Sequence, residues 1–180
     1  YLPWPISLGG VLNFIGEIIS LTYALPGAVI GISIILLFAP VNDSLGFLLI
    51  GSIPVLVYAY FIRYMAVAVS PILTSFRKHP KKLDDAGKSI GLKPFQFFRK
   101  IFIPLNKNAI IIAFCICFVD IMKDLPLTLI LRPFNFDTLA TQTYEYAIEE
   151  MITKSSIYSL TIIIFGVILL SILSIKQLKK

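Results

Sequence analysis

Four long apolar stretches constrain this chain more than any other feature. They lie at about 21–40, 47–71, 108–131 and 157–175. A helix needs roughly 20 mostly apolar residues to cross a bilayer, because each residue adds only about 1.5 Å. Charged residues make up 14% of the chain, whereas soluble domains have about 25%. The sequence therefore predicts an all-α polytopic membrane protein with about four transmembrane helices.

The connectors between these stretches differ sharply in charge. Residues 72–107 contain nine Lys and Arg residues, connector 41–46 contains none, and 132–156 contains only Arg132 and Lys154. Because Lys and Arg are enriched in cytoplasmic loops, the 72–107 loop and the C-terminus are predicted to be cytoplasmic, and the other two connectors external. The basic loop also suits contact with anionic membrane lipid. No nucleic-acid partner is predicted, since the cluster lies within one loop of a membrane protein.

The basic loop contains "GKS" at 87–89, which resembles the end of a phosphate-binding loop. Such a loop has the pattern G-x-x-x-x-G-K-[ST], in which the first glycine lies five positions before the second. If Gly87 is the second glycine, the first would lie at position 82, which holds Lys82. We therefore predict no nucleotide site here. Two cysteines and one histidine predict no metal site or cofactor. No catalytic constellation is present in the sequence, so we predict that the chain is not an enzyme.

The same loop has the pattern of two short helices around a glycine. Leu83, Ala86 and Ile90 form one apolar stripe at helical spacing, and Gly91 stands where a C-terminal cap is expected. Pro94 can begin a second helix, which would end at Pro104. A loop that only marked membrane orientation would not need this pattern.

This stretch resembles the cytoplasmic signature of binding-protein-dependent ABC transporter permeases, E-A-A-x-x-x-G, nine residues and I-x-L-P. Residues 85–87 correspond to E-A-A, Gly91 to the glycine, and 101–104 to I-x-L-P. The departures are Asp for Glu, Ile for Leu and Gly87 for Ala, of which the last should weaken the helix by up to ~1 kcal/mol. The resemblance implies a coupling surface that docks onto a separate ATPase dimer, which binds the ATP. Its residues would be Leu83, Asp85, Ala86, Gly87, Ile90, Gly91, Ile101 and Pro104.

A second stretch narrows the resemblance to ferric-iron permeases of bacterial inner membranes. The matching segments are "KDLP" at 123–126, "LRP" at 131–133, "FDTLA" at 136–140 and "YEYA" at 144–147, and Asp124 replaces the usual Glu. The resemblance implies an importer for ferric iron, a periplasmic or lipid-anchored binding protein, and a second permease half or copy. It also implies that the chain is a C-terminal portion. Permeases for thiamine, polyamines or sulfate remain alternatives, as does an ion-coupled secondary transporter, which would not need the docking motif.

Charged residues also lie near the external end of the third stretch. The candidates for the translocation path are Asp120, Lys123, Asp124 and Pro126. Charges at membrane depth are costly and tend to face a bundle interior or water, but these could equally pair locally at the interface. Pro126 is predicted to break the helix.

Three further features concern structure more than transport. Arg63 inside the second stretch could face a pore, although a snorkelling or structurally paired side chain is favoured. Gly27 and Gly31 form a G-x-x-x-G close-packing face. In the external loop an amphipathic helix is predicted, with its apolar stripe at Leu139, Thr143, Ala147 and Met151. Its oxygen donors could accept a hard cation or could meet the binding protein or solvent; they are Tyr144, Glu145, Tyr146 and Glu149.

Overall fold

A computed structural model of the chain describes residues 23–45, 49–77 and 94–178. Every regular element in these ranges is helical, in agreement with the predicted all-α class. The elements in chain order are α1 (Gly27–Leu45), α2 (Ile53–Arg77), α3 (Pro94–Phe97), a π-helical turn (Phe98–Phe102), α4 (Ile103–Leu105), α5 (Lys107–Met122), α6 (Pro126–Leu131), α7 (Leu139–Ile148) and α8 (Ile152–Leu178).

Two described helices, α2 and α8, are long and apolar enough to cross a membrane. The segment 95–105 and α5 form a pair bent by 73°, which makes a third candidate if the pair is one span. The apolar part of α1, Gly27–Asn42, is shorter. The described residues thus hold two or three candidate spans, and the count of about four stays a prediction.

The first two helices differ from the predicted stretches at their ends. Residues 41–45 were predicted to belong to a connector, but they are helical, since α1 continues through Pro40 to Leu45. Likewise α2 begins only at Ile53 and continues through Pro71 to Arg77. A proline inside a helix removes one backbone hydrogen bond without obliging the chain to leave the helix. The predicted stretches ended at Pro40 and Pro71, and neither proline is the end of its helix.

The third stretch forms two helices. Helix α5 ends at Met122, and α6 begins at Pro126. Proline has no N–H to donate, and the first turn of a helix is the place where none is required. The interruption thus lies directly before Pro126, where the sequence predicts it.

Helix α6 lies between α1 and α2 and completes the main core. The buried side chains of this core are Ile30 and Ile34 from α1, Val55, Leu56 and Ala59 from α2, and Leu127 and Leu131 from α6. Gly31 permits the approach, because a Cβ there would lie 3.1 Å from Ile130 Cγ2. Gly27 and Gly31 are both buried, which confirms the predicted close-packing face. Helix α5 packs against α2, and α8 packs against α7 and α5.

Helix α7 is present, but its buried face differs from the predicted stripe. Thr138 and Thr141 form a reciprocal capping box at its start, and Ala140 and Thr141 are the buried positions. Ala147 is exposed. Glu150 has a φ of 59° after the helix, so Met151 lies beyond α7 and the helical period does not reach it. The predicted stripe was wrong in register, because Ala140 and Thr141 are the buried positions, and wrong in length, because Met151 lies past the end of the helix.

Candidate functional site: a charge cluster at a helix break

The candidate site is the break between α5 and α6, where three elements bring polar side chains together. The backbone N–H of Lys123 still reaches back to the carbonyls of Val119 and Ile121. Asp124 N donates to Ile121 O at 3.1 Å. The chain then resumes as α6. The break therefore places polar side chains inside an otherwise apolar packing.

Asp124 is the centre of the cluster and its side chain is 1% exposed. Oδ2 accepts a hydrogen bond from the Tyr64 hydroxyl at 2.6 Å and lies 3.2 Å from Arg63 Nε. Oδ1 accepts from the backbone N–H of Leu127 at 3.3 Å, which also helps to satisfy the start of α6. A buried carboxylate requires this kind of pairing, because an isolated buried charge costs far more.

Arg63 extends the cluster to the entry of α1. Its Nη1 donates to the Leu25 carbonyl at 3.2 Å, and its guanidinium lies against Gly27, where an added Cβ would be 2.8 Å from Nη1. Arg63 lies ten residues after Ile53, the first residue of α2, which corresponds to about 15 Å along the helix. The ion pair is therefore well inside α2 rather than at its end, and the favoured interpretation of Arg63 as structurally paired agrees with this geometry.

Hydroxyl groups tie the break to α2 one turn away. Thr128 Oγ1 donates to the Asp124 carbonyl at 2.7 Å. Thr128 and Tyr60 are joined by a hydroxyl–hydroxyl hydrogen bond. Since the Thr128 proton is directed to Asp124, the Tyr60 hydroxyl is the donor to Thr128. These contacts attach the first turn of α6 to α2 independently of the ion pair.

The remaining path candidates lie beside the buried pair. Lys123 Nζ lies 2.8 Å from Asp120 Oδ1, and their side chains are 60% and 12% exposed. Pro126 is exposed. The structure thus brings all four candidates to the break, but their surroundings differ. Asp124 is buried among hydrogen-bond donors, whereas the Lys123 side chain is exposed.

Sequence reasoning missed three members of the cluster, namely Tyr60, Tyr64 and Thr128. A signal was available, because Tyr60, Arg63 and Tyr64 recur at i, i+3 and i+4 in an apolar stretch. That spacing places polar groups on one face of a helix.

Two of the four candidate oxygen donors between 132 and 156, Glu145 and Tyr146, contact protein groups. Glu145 and Asp137 both pair with Arg132, and Tyr146 stacks on Tyr158 with Lys154 Nζ 5.4 Å from the Tyr146 ring centre. Within the ranges that the structure describes, no three His, Cys, Asp or Glu side chains form a group able to hold a metal ion.

The predicted coupling surface is described only in part. Ile101 lies in the π-helical turn and Pro104 in α4. The other six coupling residues lie outside the described residues; they are Leu83, Asp85, Ala86, Gly87, Ile90 and Gly91.

The chain belongs to the family described as binding-protein-dependent transport system inner membrane component, which matches residues 10–178. This family consists of multi-pass transport components of the inner membrane rather than enzymes. A relative is the Fe(3+)-transport system permease protein FbpB 2 of Haemophilus influenzae, 27% identical over 146 residues. The match covers 81% of this chain and 28% of that relative, so the matched part spans little more than a quarter of the relative's length.

Proposed function

We propose that this chain forms part of the membrane-spanning permease of an ATP-driven importer. The observation that carries the proposal is the buried Arg63–Asp124 pair at a helix break, deep in the apolar α2, in a chain of the permease family. Ionisable groups at such depth are costly and are retained mainly where a pathway or a moving element needs them. A broken helix bordered by charges is suited to the wall of a translocation path, since irregular backbone at membrane depth requires a polar lining.

Within that wall the four candidates have two roles. Lys123 and Asp120 face the path, because the Lys123 side chain is open and Asp120 holds its ammonium group. Asp124 and Pro126 fix the shape of the wall, Asp124 through its donors and Pro126 by beginning α6.

The 72–107 loop couples this wall to ATP hydrolysis in a separate ATPase dimer. The support is the spacing of Asp85, Ala86, Gly91, Ile101 and Pro104 in the loop. A short amphipathic helix suits a groove on a partner. In this arrangement the loop and the C-terminus are cytoplasmic, a binding protein delivers cargo from the other side, and a second permease half or copy completes the path.

The experiment uses the full-length permease with its ATPase and binding protein in proteoliposomes. Gly91→Glu should abolish ATP-driven uptake and weaken co-purification of the ATPase, because a bulky charge replaces the glycine between the two predicted coupling helices. Gly87→Ala is the matched control and should retain uptake, since it restores the alanine of the family pattern.

Two results would contradict the proposal. Gly91→Glu could lose transport although the ATPase still binds and hydrolyses ATP with normal coupling, which would remove the docking role. Uptake driven by a proton gradient without ATP would instead identify an ion-coupled secondary transporter.

Ferric iron is the proposed cargo, on the strength of the 27% identical relative named for Fe(3+) transport and the segments shared between 123 and 147. Uptake of labelled ferric iron should be saturable and should not be reduced by excess thiamine, polyamine or sulfate. Competition by one of these, together with no iron uptake, would reassign the cargo while leaving the importer class intact.

A further inference from the structure

We propose that the segment 94–105 lies along the membrane surface and binds anionic lipid headgroups of the leaflet at which α5 begins. This segment comprises α3, the π-helical turn and α4. Lipid binding requires neither cargo nor an ATPase, so it goes beyond the proposed transport function. It is assigned to Phe95, Phe98, Arg99 and Lys100, whereas Ile101 and Pro104 of the same segment stay in the proposed coupling surface.

The first argument is the fixed angle between this segment and α5. The two are bent by 73°, so a segment followed by a steep membrane span lies close to the membrane plane. Asn106 forms the elbow and is 1% exposed. Its side-chain Nδ2 donates to the Phe102 carbonyl at 2.9 Å, and its backbone N–H donates to the same oxygen at 3.0 Å. The elbow is thus held by specific hydrogen bonds.

The second argument is the exposure of the Phe95 and Phe98 side chains. Phe95, Phe98 and Phe102 recur every three or four residues, which places them on one side of the helical segment. Phe95 is 73% exposed and Phe98 49% exposed, and Phe98 stacks on Phe102 with ring centres 5.1 Å apart. Among the described elements, the segment packs chiefly against the start of α5, which follows it in the chain.

Exposed aromatic side chains also occur on α5. On α5, Phe114 is 69% exposed and Phe118 44% exposed, and the two rings stack. Exposed aromatic rings on α5 and on the segment before it fit a bilayer that covers both. Helices of this kind bury an apolar face at the boundary between headgroups and acyl chains.

The third argument is charge complementarity. Arg99 and Lys100 are exposed in the middle of the segment, and Lys107 follows at the first residue of α5. Between positions 86 and 119 the sequence has no acidic residue. Long basic side chains beside a buried apolar face extend their charged ends towards headgroup phosphates. The segment therefore favours anionic over zwitterionic lipid.

The test places a photo-crosslinking benzoylphenylalanine at Phe98 in the full-length protein, reconstituted without ATPase in nanodiscs of phosphatidylglycerol and phosphatidylcholine. We expect lipid adducts enriched in phosphatidylglycerol relative to the bulk composition. The pair Arg99→Gln and Lys100→Gln should lower the adduct ratio to the bulk value, whereas Lys154→Gln, outside the segment, should leave it enriched. The ratio is internal to each sample, so it does not depend on the yield of folded protein.

Either of two outcomes overturns the proposal. Adducts at the bulk lipid ratio in the unsubstituted protein would exclude selective headgroup binding. Adducts with the ATPase, when it is added, and none with lipid would show that this face is a protein interface. Both readouts are independent of uptake, so they separate this proposal from the transport function.

Discussion

The Asp124 carboxylate receives donors from both α2 and α6, and this makes it the residue whose replacement should matter most. Its side chain is 1% exposed, whereas the Arg63 side chain is 17% exposed. Forming a buried ion pair gains little net free energy, but removing one member leaves a charge without compensation. The pair therefore favours one arrangement of α2 against α6 and adds little to the overall stability.

Asp124→Asn should lower the free energy of unfolding by about 3 kcal/mol or more, because Arg63 keeps its charge and loses its counter-ion. The measurement is denaturant or thermal unfolding of the full-length protein in detergent. Asp137→Asn, at the more exposed pair with Arg132, is the matched control and should cost less than about 1 kcal/mol.

A double variant distinguishes the mechanism. Arg63→Met combined with Asp124→Leu should recover much of the loss, since both charges are removed and the volume is roughly kept. A double variant that is less stable than Asp124→Asn would mean that the hydrogen bonds of the cluster, and not the unpaired charge, dominate.

The sequence predicted the polar residues of this site one by one but not their pairing. Asp120, Lys123 and Asp124 stood out because charge is rare in an apolar stretch. Tyr64 and Asp124 are 60 positions apart, and their contact depends on the relative rotation of two helices. Periodicity within one stretch carries no information on that rotation, so Tyr60, Tyr64 and Thr128 were missed.

At the scale of elements, the approach of α1 to α6 depends on a helical glycine. Gly31→Ala should destabilise the protein although alanine is the better helix former, because its Cβ would lie 3.1 Å from Ile130 Cγ2. Gly166→Ala in α8 is the control, since its nearest neighbour is Val119 Cγ1 at 3.8 Å; it should be neutral or stabilising by up to ~1 kcal/mol.

Unfolding of the two variants under the same conditions gives the comparison. Equal effects of Gly31→Ala and Gly166→Ala would contradict a close α1–α6 contact, because helix propensity alone would then account for both.

Element boundaries were predictable where a backbone requirement fixed them and unpredictable elsewhere. Pro126 begins α6 because its missing N–H fits a first turn. Pro40 and Pro71 lie inside helices, so a proline by itself did not mark a helix end. The register of α7 follows its capping box at Thr138 and Thr141, and the four-residue apolar period did not indicate where that helix ends.

At the scale of the whole molecule, α8 presents apolar side chains outward. Only 11% of its span window is buried inside the protein, and Ile164 in this helix is 51% exposed. Ile164→Asp should raise the apparent free energy of membrane insertion of α8 by roughly 3 kcal/mol, as expected for a charge at the centre of a span.

A translocon insertion assay on the α8 segment measures this, and Ser156→Asp near the start of the helix is the control with a much smaller expected effect. Equal penalties at both positions would contradict a span centred near Ile164.

The membrane class itself could be predicted from the sequence, because it depends on composition and segment length. The number of spans is harder to predict from the sequence. The bent pair 95–122, for example, is long enough to cross a membrane only if its two parts form one span.

The narrow space between Gly27 and Arg63 has an evolutionary consequence. A Cβ at position 27 would lie 2.8 Å from Arg63 Nη1, and the same guanidinium also reaches the Leu25 carbonyl and the Asp124 carboxylate. The two positions therefore compete for one volume. Across an alignment of relatives, we expect a larger residue at 27 to occur with a shorter side chain at 63, so that substitutions at these positions are inherited as a pair.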